Sequence, residues 1–453
     1  MIVKNEEHHL SRCLESVRGL VDEMIVVDTG STDRTAEVAV SHGARVFNVP
    51  WQDDFSRARN NSLELASGEW ILILDADESI ASRDHARIRA WLQRDDLNAV
   101  TALQRHYLPS ATVVGWQPGP GGYEEGEPYS GFVDVTCRRL FRNRPSLKFR
   151  NRVHEELVSI DPRQRLAQAS GDWVIHHFGK AGSHDLLRAK AEAYLRIGLL
   201  KVGDDPQDPR AHYELGLQYA ELRHWDASSP CFERALALEP GFRDSQLHLA
   251  ICHRQRGDHR KALEALSVAE RTLPRCRPEI AVEEGTIHRQ LGNAAAAEAA
   301  FRRAVALNPG LTVASRNLTL AVIARARLLL GQRRFADARD CLASLDGAAS
   351  AGGAASTGEL AGLRGVAALG LGRLDEAIAH LCGSLQAQPT HEAALNLSIA
   401  LEARGDRAGA LDAATAALGL SPEEPHATQR VARLSCGVPF AAGITEDPQR
   451  HAV

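Results

Sequence analysis

Several features that mark membrane, disulfide-rich or nucleic-acid-binding proteins are missing from this sequence of 453 residues. No apolar run reaches the roughly 18 residues that a membrane-spanning helix needs, so we expect no membrane span. Aromatic residues make up only 5% of the chain, and the formal net charge is -5. A basic stripe with interleaved aromatic residues is therefore absent, and we expect no nucleic-acid partner.

The eight cysteines are scattered singly, with no C-x-x-C pair. This pattern is typical of reduced thiols rather than of disulfides or a structural zinc site. The N-terminus becomes acidic at Glu6 and Glu7 before an apolar signal region could form. Together these observations predict a cytoplasmic protein.

The composition changes once, near residue 205. Before it, short apolar runs alternate with amphipathic stretches, which predicts βαβ units and a mostly parallel sheet. After it, the sequence is rich in Ala and Leu at helical spacing. We therefore predict an α/β domain at 1–182, a connecting helix and linker at 183–208, helical repeats at 209–423 and a poorly ordered tail at 424–453.

One apolar run ends abruptly in acidic residues. Residues 70–74 are predicted to form a strand buried on both faces, and Asp75, Asp77 and Glu78 follow it directly. Carboxylates just past a strand end can supply the oxygen ligands of a divalent cation. A second predicted strand ends in Asp28, which would place acids of both strands on one edge of the sheet. The alternative is that these acids only cap the helices that follow.

Four segments match a known family in order and spacing. They are Ile2–Glu7, Val27–Thr35, Ala58–Asn60 and Leu74–Glu78, and they resemble the family-two glycosyltransferases of the GT-A fold. The resemblance is closest to the bacterial branch that carries tetratricopeptide repeats after the transferase domain, and it covers residues 1 to about 180. It implies an α/β GT-A-type (Rossmann-like) nucleotide-sugar domain followed by an all-α repeat superhelix.

The resemblance also implies roles for individual residues. Asp28 is similar to the acid that contacts the uracil or ribose of a sugar nucleotide, and Arg59 is similar to a second contact of the base. Asp75 would face the ribose and the metal, while Asp77 would bind the metal that bridges the two phosphates. The implied ligands are a nucleotide-sugar, with a UDP-sugar favoured over a GDP-sugar, and Mn²⁺ or Mg²⁺. Asp28 could instead cap a helix, and Arg59 could be a solvated helix residue.

Two later segments complete the predicted site. The segment 149–157, with its His154-Glu155 pair, resembles the closing part of the transferase domain. An inverting transferase needs a carboxylate to take the acceptor's proton, and we predict Glu155 as that base. His177, in a His-aromatic-Gly match, is predicted as a further metal ligand. The alternatives are a salt-bridged Glu155 and a core histidine at position 177.

Two segments differ from a regular pattern. The Gly- and Pro-rich stretch at 115–131 is either a lid on the acceptor side or a disordered insertion. Met1 falls inside the first predicted strand, where related sequences have a few more apolar residues. Either this strand is short or the start codon is misplaced, and the base pocket beside it, to which Val3 and Glu6 are assigned, depends on which is true.

The C-terminal half repeats with a period close to 34. Pro240, Pro274 and Pro309 lie 34 and 35 residues apart, which is the tetratricopeptide period. About six helix pairs are predicted, with a flexible interruption at 347–358, and their small residues would let paired helices approach closely. The concave groove would bind a protein or peptide; the alternative is that the array only spaces and solubilises the enzyme.

The resulting hypothesis is a metal-dependent, inverting glycosyltransferase whose repeats recruit a protein, peptide or glycan acceptor or a protein partner. The main alternative is a tetratricopeptide scaffold with a transferase-like domain that binds nucleotide without turnover. A third is another sugar-nucleotide-using enzyme on a similar sheet, although no Gly-rich phosphate loop supports it.

Overall fold

The structure is a computed structural model, and it describes residues 1–108, 116–163, 166–178, 184–345 and 354–436. The chain divides into two compact units, Met1–Gly257 and Asp258–Val453. Within the described residues, no helix is long and apolar enough to cross a membrane. None of the eight cysteines, all of them in described ranges, is in a disulfide.

The first unit opens with alternating strands and helices, as the sequence predicts. Its three parallel strands are β1 (Ile2–Val3), β2 (Ile25–Asp28) and β3 (Arg45–Asn48), hydrogen-bonded in that order. The connecting helices are α1 (Leu10–Ser16) and α2 (Thr35–Ser41). The apolar residues at helical spacing in α1 are all buried: Leu10, Cys13 and Leu14. Strand β1 is short.

The larger sheet differs from the prediction. Its strands are hydrogen-bonded in the order β4-β8-β6-β11-β5, and β7 pairs with β8. They are β4 (Trp70–Leu72), β5 (Glu78–Ile80), β6 (Ala99–Leu108), β7 (Gln117–Pro118), β8 (Gly131–Arg142) and β11 (Gln168–His177). Only β6 and β11 are parallel in this sheet. The predicted parallel pairing of the strand at Trp70 is wrong, because the long β8 returns antiparallel beside it.

Smaller elements complete the sheet region. They are helix α3 (Phe55–Leu65) before β4, helix α4 (His85–Leu92) before β6, and the antiparallel pair β9 (Leu147–Arg150) and β10 (Glu156–Ser159). Asp54 caps α3, accepting a hydrogen bond from the backbone N–H of Arg57 at 2.9 Å. This cap starts α3 directly after the turn that follows β3.

The residues after β4 are buried on both sides, as predicted. Ile73 packs in a cluster with Phe141 and Phe149, while its neighbour Leu74 packs in another with Cys13 and Trp173. Because successive residues of an extended chain point to opposite faces, the two clusters lie on opposite sides of this segment. The acidic residues that follow are therefore attached to a rigid base.

The Gly- and Pro-rich segment is folded where it is described, from residue 116 onwards. Tyr123 is buried, and its hydroxyl donates to Asp84 Oδ2 at 3.0 Å. This segment is therefore not a disordered insertion in its described part. Nor do its described residues line the cleft that contains the predicted site, so they do not form a lid over it.

Four helices complete the first unit: α5 (His184–Asp204), α6 (Pro209–Glu221), α7 (Trp225–Leu238) and α8 (Ser245–Gln255). Helices α6 and α7 form a close pair. A Cβ atom added to Gly216 would lie 2.8 Å from the Phe232 ring, so the glycine is what allows the two helices to approach.

The second unit is helical throughout its described residues. Its helices are α9 (His259–Thr272), α10 (Arg277–Gln290), α11 (Ala294–Leu307), α12 (Thr312–Gly331), α13 (Phe335–Ala343), α14 (Ala354–Gly370), α15 (Leu374–Ala387), α16 (His391–Arg404), α17 (Arg407–Leu420) and α18 (Pro425–Ser435). Two further helix pairs approach closely at a glycine. A Cβ atom added to Gly285 would lie 2.7 Å from the Phe301 ring, and one added to Gly365 would lie 2.5 Å from Leu381. The predicted packing role of the small residues is thus confirmed.

Two expectations for this half concern its irregular segments. Most of the predicted interruption at 347–358 lies outside the described residues. The tail begins with α18, and the prediction of poor order is wrong for this helix. Leu434 packs in the core, and the Arg430 guanidinium is buried and donates to Ser398 and Glu402. The remainder, 437–453, lies outside the described ranges.

Candidate functional site

A cleft of about 930 Å³ in the first unit contains most of the predicted site residues. It is lined by seven of them: Val3, Glu6, Arg59, Asp75, Asp77, Glu155 and His177. They come from β1, α3, the segment after β4, the segment before β10 and the end of β11. The sequence-based prediction therefore selected residues that are far apart in the chain and share one cavity. The roles assigned to them remain predictions.

Asp28 is the exception. It is buried at the end of β2, and its Oδ1 accepts hydrogen bonds from the backbone N–H groups of Gly30 at 2.9 Å and Ser31 at 2.7 Å. It is not among the residues that line the cleft, although its neighbour Thr29 is. The carboxylate thus holds the turn after β2 and does not cap helix α2, which begins at Thr35; a contact of Asp28 with a nucleotide stays a prediction.

Arg59 joins two carboxylates. Its Nη2 donates to Asp75 Oδ1 at 2.7 Å, and its Nε donates to Glu155 Oε1 at 2.5 Å. Only 6% of Arg59 is exposed, so it is not a solvated helix residue. Its Nη1 is buried and has no hydrogen-bond partner within the described part of the chain. The side chain therefore has one donor left for a ligand in the cleft.

Arg139, which was not predicted as a site residue, holds Asp75 from the other side. Its Nη2 donates to Asp75 Oδ2 at 3.1 Å and to Glu78 Oε1 at 2.8 Å. Burial alone would raise the pKa of Asp75, but the positive charges of Arg59 and Arg139 lower it well below its usual range. Asp75 is thus an ionised carboxylate held by two guanidinium groups.

Glu78 lies beneath this cluster and is completely buried. Its Oε2 accepts from the backbone N–H of Asp75 at 2.8 Å, and its Oε1 also accepts from Gln104. Burial raises the pKa of Glu78 to about 7, although Arg139 opposes the shift. Glu78 does not line the cleft, which agrees with a supporting role rather than direct ligand contact.

Asp77 and His177 form the second part of the site. Asp77 Oδ2 lies 3.4 Å from His177 Nε2, and His177 Nδ1 lies 3.0 Å from His106 Nδ1. Burial would raise the pKa of Asp77, but the hydrogen bond and charge of His177 lower it below the usual range. His177 lines the cleft and is thus not a core histidine. Its fully buried neighbour His176 is one.

The base pocket predicted near β1 is partly closed by internal hydrogen bonds. The Val3 carbonyl accepts from the Thr29 backbone N–H and hydroxyl, both at 3.0 Å. Glu6 Oε2 lies 2.9 Å from His9 Nδ1, and burial raises the pKa of Glu6. These contacts fix the position of the loop after β1 at the edge of the cleft.

Side chains on helices α5 and α6 and at the start of α3 form another wall of the cleft. Tyr194 on α5 lies with its ring centroid 5.6 Å from that of Phe55, which is 4.8 Å from Trp51. Lys190 on α5 and Arg210 on α6 also line the cavity. These residues were not predicted, because they belong to helices assigned to the connection and the repeats. The spacing of Lys190 and Tyr194, four residues apart on one helix face, was the available signal.

Within the described residues, no group of three or more His, Cys, Asp or Glu side chains is arranged to hold a metal ion. Both Asp75 oxygens accept from arginines. Asp77 and His177 supply one carboxylate and one imidazole, and the role of Asp75 as a further ligand of the cation stays a prediction. A cation held by two protein side chains needs further ligands from substrate or water.

Comparison with known families divides the chain in the same way as its composition. Residues 1–148 match the family described as Glycosyl transferase family 2. Residues 213–275, 323–390 and 363–425 match one tetratricopeptide repeat family, and 279–310 match another.

Relatives that match more than half of the chain include two bacterial proteins. A TPR repeat-containing protein of Synechococcus elongatus is 34% identical over 281 residues, covering 59% of this chain and 64% of that protein. The SPbeta prophage-derived glycosyltransferase SunS of Bacillus subtilis is 23% identical over 287 residues, covering 61% and 63%. The chain thus spans less than two thirds of the length of either relative. A solved C-terminal part of a TPR repeat-containing protein from Cytophaga hutchinsonii has a TM-score of 0.43 at 12% identity, covering 55% of this chain and 97% of that one.

Proposed function

We propose that this chain, which carries a glycosyl transferase family 2 domain at its N-terminus and tetratricopeptide repeats after it, transfers a sugar from a nucleotide-sugar to an acceptor. The observation that supports this proposal is the convergence of Arg59, Asp75, Asp77, Glu155 and His177 in one cleft. The same cavity offers separate groups for a nucleoside, a diphosphate and an acceptor proton.

The nucleoside would bind at Arg59 and Asp75. Arg59 Nη1 is an unsatisfied buried donor, and burying a donor without a partner costs about 1–3 kcal/mol. An oxygen of a nucleobase or ribose would remove that cost. Tyr194 and Phe55 lie beside this position and offer ring faces for stacking. A UDP-sugar is the proposed donor.

Asp77 and His177 would hold the divalent cation. An ionised carboxylate and an imidazole suit Mn²⁺, and also Mg²⁺ when phosphate oxygens complete the coordination, so the residues present fit the group. A bound cation supplies Lewis-acid stabilisation of the negative charge on the departing diphosphate. With no cation bound, the hydrogen bond from His177 lowers the pKa of the Asp77 carboxyl. To bind a cation through Nε2, which lies 3.4 Å from Asp77 Oδ2, His177 would have to release that proton.

Glu155 is the proposed base. Its Oε1 accepts from Arg59 in an ion pair, and the residue lines the cleft. In a single displacement, the acceptor heteroatom forms a bond to the anomeric carbon as the bond to the diphosphate oxygen breaks, and Glu155 takes the acceptor proton. The product has the inverted anomeric configuration.

The repeats would recruit the acceptor or a protein partner, since such arrays present extended surfaces for binding. We keep a cytoplasmic location as part of the proposal, supported by eight cysteines of which none is in a disulfide. The second candidate is a scaffold whose transferase-like domain binds nucleotide without turnover. The name of the Synechococcus elongatus relative, which mentions only its repeats, favours the scaffold. The presence of Arg59, Asp75 and Asp77 together in the cleft argues against it.

The proposed function is tested by release of UDP or GDP from a panel of nucleotide-sugars, with Mn²⁺ or a chelator, for the wild type and Asp77→Ala. We expect Mn²⁺-dependent release that Asp77→Ala abolishes. Full activity of Asp77→Ala would overturn the assignment of the cation site. Tight nucleotide binding without turnover of any donor, with acceptor lysates supplied, would favour the scaffold.

A further inference from the structure

The segment 151–156 carries Glu155 but has little structure of its own. It contains no helix or strand before Glu156, and two of its residues have positive φ, Asn151 at 78° and His154 at 54°. A left-handed conformation at a residue other than glycine is maintained only when the surroundings determine it. The contacts made by neighbouring elements therefore decide where Glu155 lies.

One set of contacts comes from the transferase side. The Phe55 backbone N–H donates to the Arg152 carbonyl at 2.8 Å, and the Ser56 hydroxyl donates to the Asn151 carbonyl. These hold the beginning of the segment against α3. They do not reach the residues on either side of Glu155.

Further contacts come from Tyr194, whose ring centroid lies 6.3 Å from that of His154, and from β9, which pairs Arg150 with Glu156. The remaining set comes from Arg210, in the first turn of α6. Its Nη2 donates to the His154 carbonyl at 3.2 Å, and its Nη1 forms an ion pair with Glu156. Arg210 thus contacts the residue before Glu155 and the residue after it. Arg210 is itself held, because its Nε donates to Glu214 Oε1 at 2.6 Å, and Glu214 Oε2 accepts from Lys201 at 2.5 Å in a buried pair.

We propose that Arg210, on a helix outside the residues that match the transferase family, is a positioning residue that holds Glu155 against Arg59. This inference rests on the proposed function. Without Arg210, the His154 carbonyl and the Glu156 carboxylate lose their shared partner, and His154 can leave its left-handed conformation. Glu155 then moves away from Arg59, whereas Asp75, Asp77 and His177 keep their own contacts. Turnover should fall while nucleotide binding is retained.

The test compares Arg210→Gln and Arg210→Lys with the matched control Arg256→Gln, in the full chain. Arg256 pairs with Asp226 at 2.8 Å in the same unit but does not line the cleft. The readouts are kcat and KM for nucleotide release from the donor found active, the Kd of UDP with Mn²⁺, and hydrogen exchange of residues 151–158. Circular dichroism checks that each variant is folded.

For Arg210→Gln we expect kcat to fall about 10- to 100-fold, with KM and Kd within about threefold, and exchange in 151–158 to rise about tenfold. Arg210→Lys keeps the positive charge near Glu156, so its kcat and its hydrogen exchange should lie between those of Arg210→Gln and the wild type. Arg256→Gln should match the wild type in both measurements. Wild-type kcat and exchange in Arg210→Gln would overturn the proposal, as would a loss that only follows the unfolded fraction. If the wild type turns over no donor, the proposed function fails, while exchange and Kd still test the positioning.

Discussion

Asp77 Oδ2 and His177 Nε2 lie 3.4 Å apart, although 99 residues separate them in the chain. The backbone supports this relationship, because the Phe178 N–H donates to the Asp77 carbonyl at 3.0 Å. In addition, β11 and β5 pair His177 with Glu78. The two side chains are thus placed by sheet register rather than by a flexible loop, and such fixed placement favours a preorganised ligand pair.

This geometry predicts that Asp77→Asn weakens Mn²⁺ binding in the presence of UDP by about 100-fold or more, since the amide is neutral and His177 loses its carboxylate partner. Titration calorimetry or the spin-resonance signal of free Mn²⁺ measures the change. Asp96→Asn is the control, because Asp96 is an exposed carboxylate that pairs with the neighbouring Arg94. Equal affinity in Asp77→Asn and Asp96→Asn would contradict the assignment.

The pH dependence of stability should include a contribution from His176. Burial, aided by the charges of Arg105 and Arg83, lowers the pKa of His176 from 6.5 to about 4. Between these values the unfolded chain binds more protons than the folded one, so stability is lost as the pH falls from 6.5 towards 4. At pH 4.5 this loss amounts to about 2–3 kcal/mol.

The matched variant is His176→Asn, whose side-chain oxygen can still accept from the Tyr107 hydroxyl, which lies 2.7 Å from His176 Nδ1. Urea unfolding at pH 7 and pH 4.5 gives the comparison. The variant should lose less stability than the wild type over this range. An identical pH dependence of the two proteins would mean that His176 does not stay neutral in the folded state.

Arg139 and Glu78 should be energetically coupled. Arg139→Met removes the cation that Asp75 and Glu78 share, and removing one partner of a buried ion pair costs about 3–5 kcal/mol. Glu78→Gln in the same chain removes the charge, so the double variant should be more stable than the sum of the single changes by about 1–3 kcal/mol. Chemical unfolding of the four proteins measures this coupling.

Arg138→Met is the control for that cycle. Arg138 precedes Arg139 on β8 but is exposed, and its Nε donates to Gln168 at 2.6 Å. The Arg138→Met variant should have a free energy of unfolding less than about 1 kcal/mol below that of the wild type. Strict additivity of Arg139→Met and Glu78→Gln would show that the contact at 2.8 Å carries no net interaction energy.

Replacing two helical glycines of the repeats by alanine should change the free energy of unfolding in opposite directions. A Cβ on Gly285 would lie 2.7 Å from the Phe301 ring, whereas one on Gly383 meets nothing within 4 Å. Gly383→Ala should stabilise the protein by up to about 1 kcal/mol, because alanine favours the helix. Gly285→Ala should destabilise it by about 1–3 kcal/mol through overpacking. Thermal or urea unfolding measures both, and stabilisation by Gly285→Ala would contradict the packing described for α10 and α11.

The sequence predicted the parts of this molecule that depend on local pattern. The helices and strands around Asp28 and Asp75 follow from apolar spacing, and the grouping of Asp77 with His177 follows from the resemblance. The orientation of Asp28 could not be predicted, because an acid after a strand can face a ligand or accept from the next turn. In this structure the backbone N–H groups of Gly30 and Ser31 donate to Asp28 Oδ1.

Other features depend on pairings distant in sequence. The antiparallel return of β8 beside β4 brings Arg139 to Asp75, and no pattern near either residue gives that register. The same is true of Tyr194 and Arg210, whose positions depend on how α5 and α6 pack on the sheet region. Single-sequence reasoning therefore recovered the acids of the cleft and Arg59, but not Arg139 or Arg210.

The buried pair of Lys201 and Glu214 has a practical consequence for dividing the protein. A chain cut after Asp208, where the composition suggests a boundary, would keep the lysine and lose its carboxylate. The cut also removes α6, which packs on α5 where Gly198 meets Gln218. The fragment would therefore expose the face of α5 that α6 covers, and it should be less stable and prone to aggregate. A fragment ending at Gly257 retains both partners and follows the compact unit, and it is the appropriate piece for expressing the N-terminal half alone.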